Sequence, residues 1–114
     1  MDQESTITVR QNADRHRYEL VDGEKIIGKA HWLSFERDTS QERIFFHTTV
    51  DEEYAGQGLA GKLAHFALED TIAAGLKVVP VCPYIKVYLR KHPEYKQHAV
   101  MVEQVHLDAV TAAA

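Results

Sequence analysis

Cys82 is the only cysteine in the 114 residues, so no intramolecular disulfide framework exists and no cysteine pair can anchor a structural zinc. Whatever Cys82 does, it does as a thiol. Long hydrophobic runs are also missing. No apolar stretch approaches the roughly 20 residues that span a bilayer, and Met1 to Asn12 carries Asp2, Glu4 and Arg10 where a secretion signal needs an unbroken apolar segment. A cytoplasmic chain with no membrane partner is expected. Excess positive charge is absent too: the formal net charge is −4 with the seven histidines counted neutral, which gives no bulk attraction to nucleic acid. Those histidines show no HExxH or comparable spacing, so no metal is expected. What remains is 45% hydrophobic, 26% charged and 9% aromatic, the composition of one ordinary domain with a core.

The charge is unevenly placed. Lys77, Lys86, Arg90, Lys91 and Lys96 face only Glu94 between Lys77 and His98, whereas Asp51, Glu52 and Glu53 stand together before a cluster of glycines. A local basic surface on an acidic chain suits a small anionic ligand better than a polyanion; the alternative is a set of solvated surface lysines.

The first half reads as strands. Thr6 to Gln11 alternates modestly, Arg17 to Val21 places Tyr18 and Leu20 on one side, and Asp22-Gly23-Glu24-Lys25 is a turn. Ile26 to Phe35 is apolar and aromatic on both faces, Arg37 to Gln41 is a polar loop, and Glu42 to Val50 is rich in β-branched and aromatic residues. Short connections favour an antiparallel meander. The period then changes. Ala60, Leu63, Ala64, Ala67, Leu68 and Ile72 form one helical stripe that Gly75 stops, Leu76 to Cys82 is a short strand, and Tyr84 to Lys91 is a second helix between Pro83 and Pro93. Strand, helix and strand in this order form a crossover with two parallel strands. The expected fold class is α+β (mixed α/β), an antiparallel meander followed by a β-α-β-α unit. Pro80 cannot donate to a ladder, so the last strand there is at an edge or has parted from its neighbour. Residues 1–98 are expected to form the domain and 99–114 a tail, weakly helical or disordered.

Tyr54-Ala55-Gly56-Gln57-Gly58-Leu59-Ala60-Gly61-Lys62 lies between a strand and a helix. Glycines at a helix N-terminus let backbone N–H groups approach an anion, and phosphate binding is the natural use; a tight turn is the alternative. Gly56, Gly58 and Gly61 match a dinucleotide fingerprint, but Asp51 to Ala55 intervenes where a tight turn out of the strand is needed. Gly56 to Lys62 nearly matches a P-loop, but Leu63 stands where a magnesium-binding hydroxyl is required.

The strand order, the segment Val50 to Ala60 and the later Tyr88-Leu89-Arg90-Lys91 resemble the GNAT superfamily of N-acetyltransferases. Its acetyl-CoA loop falls here on Ala55, Gly58 and Ala60, with Ala55 replacing the usual Arg or Gln. Phe46-His47-Thr48-Thr49-Val50, Val79-Pro80-Val81-Cys82-Pro83-Tyr84 and His92-Pro93-Glu94-Tyr95 are similar to a small, compact branch found in bacteria and plants. The resemblance spans about residues 6 to 96. It implies acetyl-CoA as cosubstrate, an amine acceptor, and a slot between splayed parallel strands. The slot's backbone would be Thr48, Thr49 and Val50. The pyrophosphate would lie on Gly56, Gln57, Gly58, Leu59, Ala60 and Gly61, with Lys62, Pro83, Lys86 or Arg90 nearby. Tyr88 is the first candidate to protonate the leaving thiol. Cys82 is a second donor, a nucleophile, or a buried structural thiol; His47 is a base, a substrate-orienting group or a surface histidine. A monomer or weak homodimer is expected. The alternatives are a CoA-binding module without catalysis and a nucleotide-binding domain.

Overall fold

The computed structural model describes residues 7–113; the expected start of the first strand at Thr6 lies outside them. Strands β1 (Ile7–Asn12), β2 (Arg17–Asp22), β3 (Lys25–Glu36) and β4 (Gln41–Val50) form the antiparallel meander. Helix α1 (Leu59–Ala73) then leads to β5 (Lys77–Pro80), which joins β4 in parallel, giving one sheet in the order β1-β2-β3-β4-β5. Helices α2 (Pro83–Lys91) and α3 (Gln104–Ala113) follow. Among the described residues no helix is long and apolar enough to cross a membrane.

The periodicity explains the packing. Leu63, Ala64, Ala67 and Leu68 of α1 are fully buried against Tyr18, Leu20, Ile27 and Phe45 of the sheet. Each large apolar side chain removed from water contributes roughly 1.5–3 kcal/mol. A polar network crosses the same layer: Tyr18 donates to Asp70 at 2.7 Å, Gln11 donates to Asp70 at 2.7 Å, and Arg43 donates to the Tyr18 hydroxyl. Burial, followed by the bond to Asp70, pushes the Tyr18 phenol up to about 12.

Two details of β4 set up the site. Pro80, paired with Phe45, is the last residue of β5, at the edge of the sheet. Beyond it Val81 turns back on the Val79 carbonyl and the Cys82 N–H donates to Phe45 O at 2.8 Å. Among the described residues, β4 from Phe46 to Val50 therefore has β3 as its only strand neighbour. The second detail is a bulge opposite His31 and Trp32, which pair with His47 and Phe45. Phe46 is the extra residue, and its ring and that of His47 both lie about 6 Å from His31 (6.0 and 5.9 Å). A bulge reverses the alternation, so Thr48 and Val50 follow Phe45 on the helix-covered face while His47 and Thr49 turn away.

Residues 99–113 are built onto the sheet. The Val100 N–H donates to Val78 O at 2.9 Å, and α3 is anchored by His106, which is fully buried and lies 2.7 Å from Glu42 Oε1. Its Nδ1 accepts the Glu103 N–H at 3.0 Å, so Nε2 carries the proton that faces Glu42.

Candidate functional site

Gly58 caps α1 in the left-handed region (φ 72°), and Gly56 has φ 83°. These values suit glycine, because a Cβ would crowd the following carbonyl. A short 3₁₀ turn, Glu52–Tyr54, carries the chain from β4 to this loop. The first helical bond of α1 runs from Lys62 N to Gly58 O, which leaves the N–H groups of Leu59, Ala60 and Gly61 without intrahelical acceptors. All three residues line a cavity of about 290 Å³ together with Val50, Tyr54, Ala55, Gly56, Gly58 and Tyr84. Unpaired amides at the positive end of a helix dipole, in a concave site, suit a phosphate. Among the described residues no lysine or arginine lines the cavity, so its positive potential comes from the backbone.

Val50 joins this cavity to the open edge of β4. Two residues earlier, the Thr48 hydroxyl accepts the Cys82 Sγ–H at 3.4 Å across the gap where β5 has left the sheet. Cys82, 3% exposed, is the residue preceding α2, and Pro83 occupies that helix's first turn. The helix faces α1 through Tyr84 and Tyr88: a Cβ on Gly61 would lie 3.8 Å from the Tyr84 hydroxyl and 4.0 Å from Tyr88 Cε1. Burial, and then the neighbouring Cys82, raise the Tyr84 phenol above its ordinary 10.0. Tyr88 is also raised, by burial first and then by Tyr84 and the nearby carboxylates.

The arrangement offers two kinds of backbone group: amide donors at the start of α1 in a concave site, suited to an anion, and an open strand edge on β4, suited to an extended chain that carries its own amides. Thr48, Val50, Gly56, Gly58, Leu59, Ala60, Gly61 and Cys82 are thus brought together. Gln57 belongs to the loop but does not line the cavity. The other candidates lie elsewhere. The Lys62 ammonium donates to the Ile7 carbonyl at 2.9 Å, toward β1. Lys86 and Arg90 line a different cleft on the far flank of α2. Thr49 and His47 face away from Thr48. Tyr88 packs near Gly61 behind the cavity wall without lining it, and stacks on His92 with ring centroids 4.1 Å apart.

Tyr54 and Tyr84 line the cavity but are not among the candidates that the residue pattern offers. Tyr84 had a signal, since it precedes Tyr88 by one helical turn and shares its face. Tyr54 is positioned by a long-range bond from its hydroxyl to Asp22, which no local pattern displays. Among the described residues no group of three or more His, Cys, Asp or Glu side chains is placed to hold a metal ion.

Comparison with known proteins bears on this geometry. Residues 17–98 match the family model described as GCN5-related N-acetyl-transferase. Protein NATD1 of Gallus gallus is 37% identical over 54 residues, which cover 46% of this chain and 49% of that protein, so the match spans about half of the relative's length. A GCN5-like protein from Staphylococcus aureus superposes with a TM-score of 0.63 at 23% identity, over 87% of this chain and 93% of the other. The ribosomal-protein-alanine N-acetyltransferase of Brucella melitensis biovar Abortus 2308 gives 0.54 at 17% identity, over 76% and 66%. At these identities the structural likeness concerns the fold.

Proposed function

The chain belongs to the GCN5-related N-acetyltransferase family, and from that premise we propose that it moves the acetyl group of acetyl-CoA directly to an amine in a ternary complex. The observation that carries this reading is that Val50, which lines the amide-lined cavity, stands two residues along β4 from Thr48, where the strand has lost its β5 neighbour and meets Cys82. The pyrophosphate rests on the N–H groups of Leu59, Ala60 and Gly61, and the pantetheine arm pairs with β4 between Phe46 and Val50.

In the reaction a neutral amine attacks the thioester carbonyl. The C–N bond forms, the C–S bond breaks, and the departing sulfur takes a proton. A backbone N–H on the open edge of β4 polarises the carbonyl as charge develops on its oxygen. Tyr84 is the proton donor that the geometry favours. It lines the cavity, two residues after Cys82 in the chain, and its raised pKa keeps the phenol protonated; the proton lost by the amine nitrogen restores it. Tyr88, one turn on, is the second candidate. Cys82 borders the acetyl end of the slot as a buried thiol and forms no acetyl intermediate. The setting proposed is cytoplasmic, the reaction uses no metal, and the chain acts as a monomer or weak homodimer.

Calorimetry with acetyl-CoA, CoA, NAD and ATP tests the cosubstrate. The expected result is binding of acetyl-CoA and CoA alone; selective binding of NAD or ATP would sink the reading.

A further inference from the structure

The chain has a second concave surface that the proposed reaction does not use. It is a cleft of about 430 Å³ lined by Pro80, Lys86, Leu89, Arg90, Pro93, Lys96 and Ala99. Its place in the fold separates it from the phosphate cavity. Successive helical residues are turned by about 100°, so Lys86 and Arg90 share a flank of α2 roughly 200° from Tyr84, which faces α1. The two cavities have no lining residue in common.

The cleft is nonetheless close to the acetyl end of the slot. Pro80 is the last residue to pair with β4, and the Lys86 N–H donates to the Cys82 carbonyl at 3.1 Å. One wall of the cleft is thus the segment whose other end bears the thiol beside Thr48.

Its charge is one-sided. Lys86, Arg90 and Lys96 are the only charged lining residues, and among the described residues none has a side-chain hydrogen bond or ion pair. Five cations elsewhere are matched by carboxylates: Arg10 and Arg17 on Glu19, Lys25 on Glu53, Arg37 on Glu42 and Glu103, and Arg43 near Asp70; Lys62 and Lys77 donate to backbone carbonyls, and the remaining Arg15, Lys29 and Lys91 do not line the cleft. Glu94, the nearest acidic residue in sequence, lies within 3.6 Å of the His92 ring. Three unmatched cations around an apolar floor of Pro80, Leu89, Pro93 and Ala99 complement an anion attached to an apolar segment.

We propose that this cleft holds the acceptor, and that the acceptor is an amine that also carries a carboxylate or phosphate group. The inference rests on the acetyltransferase reading and adds the substrate class to it.

The test compares two acceptors of similar size, one an amine with a carboxylate and the other its neutral amide, in the intact chain and in Arg90→Gln/Lys96→Gln. Both substituted side chains are exposed, so folding is expected to persist and is checked by circular dichroism. The expected result is a KM for the carboxylate acceptor at least tenfold below that for the amide, rising with added salt. In the variant that KM rises at least tenfold while kcat and the KM for acetyl-CoA stay within threefold. Arg90→Glu/Lys96→Glu, which makes the lining net negative, is expected to reverse the preference toward a cationic amine. Amide chemical shifts of Leu89, Arg90, Lys96 and Ala99 titrated with the acetylated carboxylate product report occupancy without turnover. Transfer that is indifferent to acceptor charge in all three proteins would overturn the cleft's role and leave the acetyltransferase reading standing. Shifts at the cleft without acetyl transfer to either acceptor would overturn the acetyltransferase reading, and the acceptor assignment with it.

Discussion

Cys82 and Thr48 meet at the point where the sheet opens: the thiol donates to the threonine hydroxyl at 3.4 Å, three residues along β4 and two residues along the other chain segment from the last pair, Phe45 with Pro80. The contact gives Cys82 a structural task, closing the apolar core at the end of the slot. Cys82→Ala is therefore expected to lower stability by about 1 kcal/mol and to keep acetyl transfer within tenfold of the parent. Intact mass after rapid quench is expected to show no acetyl group on Cys82. A Cys82-dependent adduct formed at the rate of turnover would replace direct transfer with a covalent route.

Tyr84 and Tyr88 share a helix face but not a position relative to the cavity. Loss of a general acid costs about 10²-fold or more in rate. Tyr84→Phe is expected to lower kcat by about 10²-fold with the acetyl-CoA dissociation constant within threefold, whereas Tyr88→Phe lowers kcat less than tenfold. The reverse ranking in steady-state kinetics would make Tyr88 the donor.

Gly58 holds a left-handed conformation at the start of α1 with open space where a Cβ would be. Gly58→Ala meets no clash, so its cost is conformational, roughly 1–2 kcal/mol. The expected outcome is a lower thermal midpoint, by several degrees, and an acetyl-CoA dissociation constant raised about tenfold because the amides of Leu59 to Gly61 are displaced. Unchanged affinity in calorimetry would mean that the phosphates lie elsewhere.

Much of this arrangement was legible in residue order. The stripe of Leu63, Ala64, Ala67 and Leu68 is a local pattern, and local patterns survive folding. Pro80 marked the departure of β5 because a missing N–H is a property of the residue itself. The left-handed glycine turn at the start of α1 was legible for the same kind of reason. The bulge at Phe46 was not legible. It arises from the register of β3 against β4, carries no glycine or proline, and turns His47 away from the face that Thr48 occupies. Lys62 and Lys86 look alike as charges in a list; only tertiary structure directs one to Ile7 O and the other to the far flank of α2. The docking of α3 depends on a pair 64 residues apart, beyond the reach of any periodicity.

That pair yields a stability prediction. Removing one member of a buried polar pair leaves the other poorly compensated, at a cost of roughly 3 kcal/mol. His106→Ala is expected to cost about that much in urea unfolding and to release α3, with loss of amide protection across 104–113. A change within 0.5 kcal/mol would show that α3 contributes little to the fold.

His31 carries a pH dependence. Burial, followed by Arg17, His47 and Lys29, holds its pKa below the ordinary 6.5. The folded state therefore resists its protonation, and stability is lost as the pH falls from about 6.5 through the lower folded value. Replacing His31 by Gln is expected to flatten the acid limb of a stability–pH curve. An unchanged limb would remove His31 from the account.

The central claim is acetyl transfer from acetyl-CoA to an amine, and the release of free CoA thiol in the presence and absence of a panel of amines tests it most directly. The account predicts thiol release that depends on the amine, with a matching quantity of acetylated amine by mass spectrometry. Tight binding of acetyl-CoA with no amine-dependent release across the panel would contradict it and make the chain a CoA-binding module.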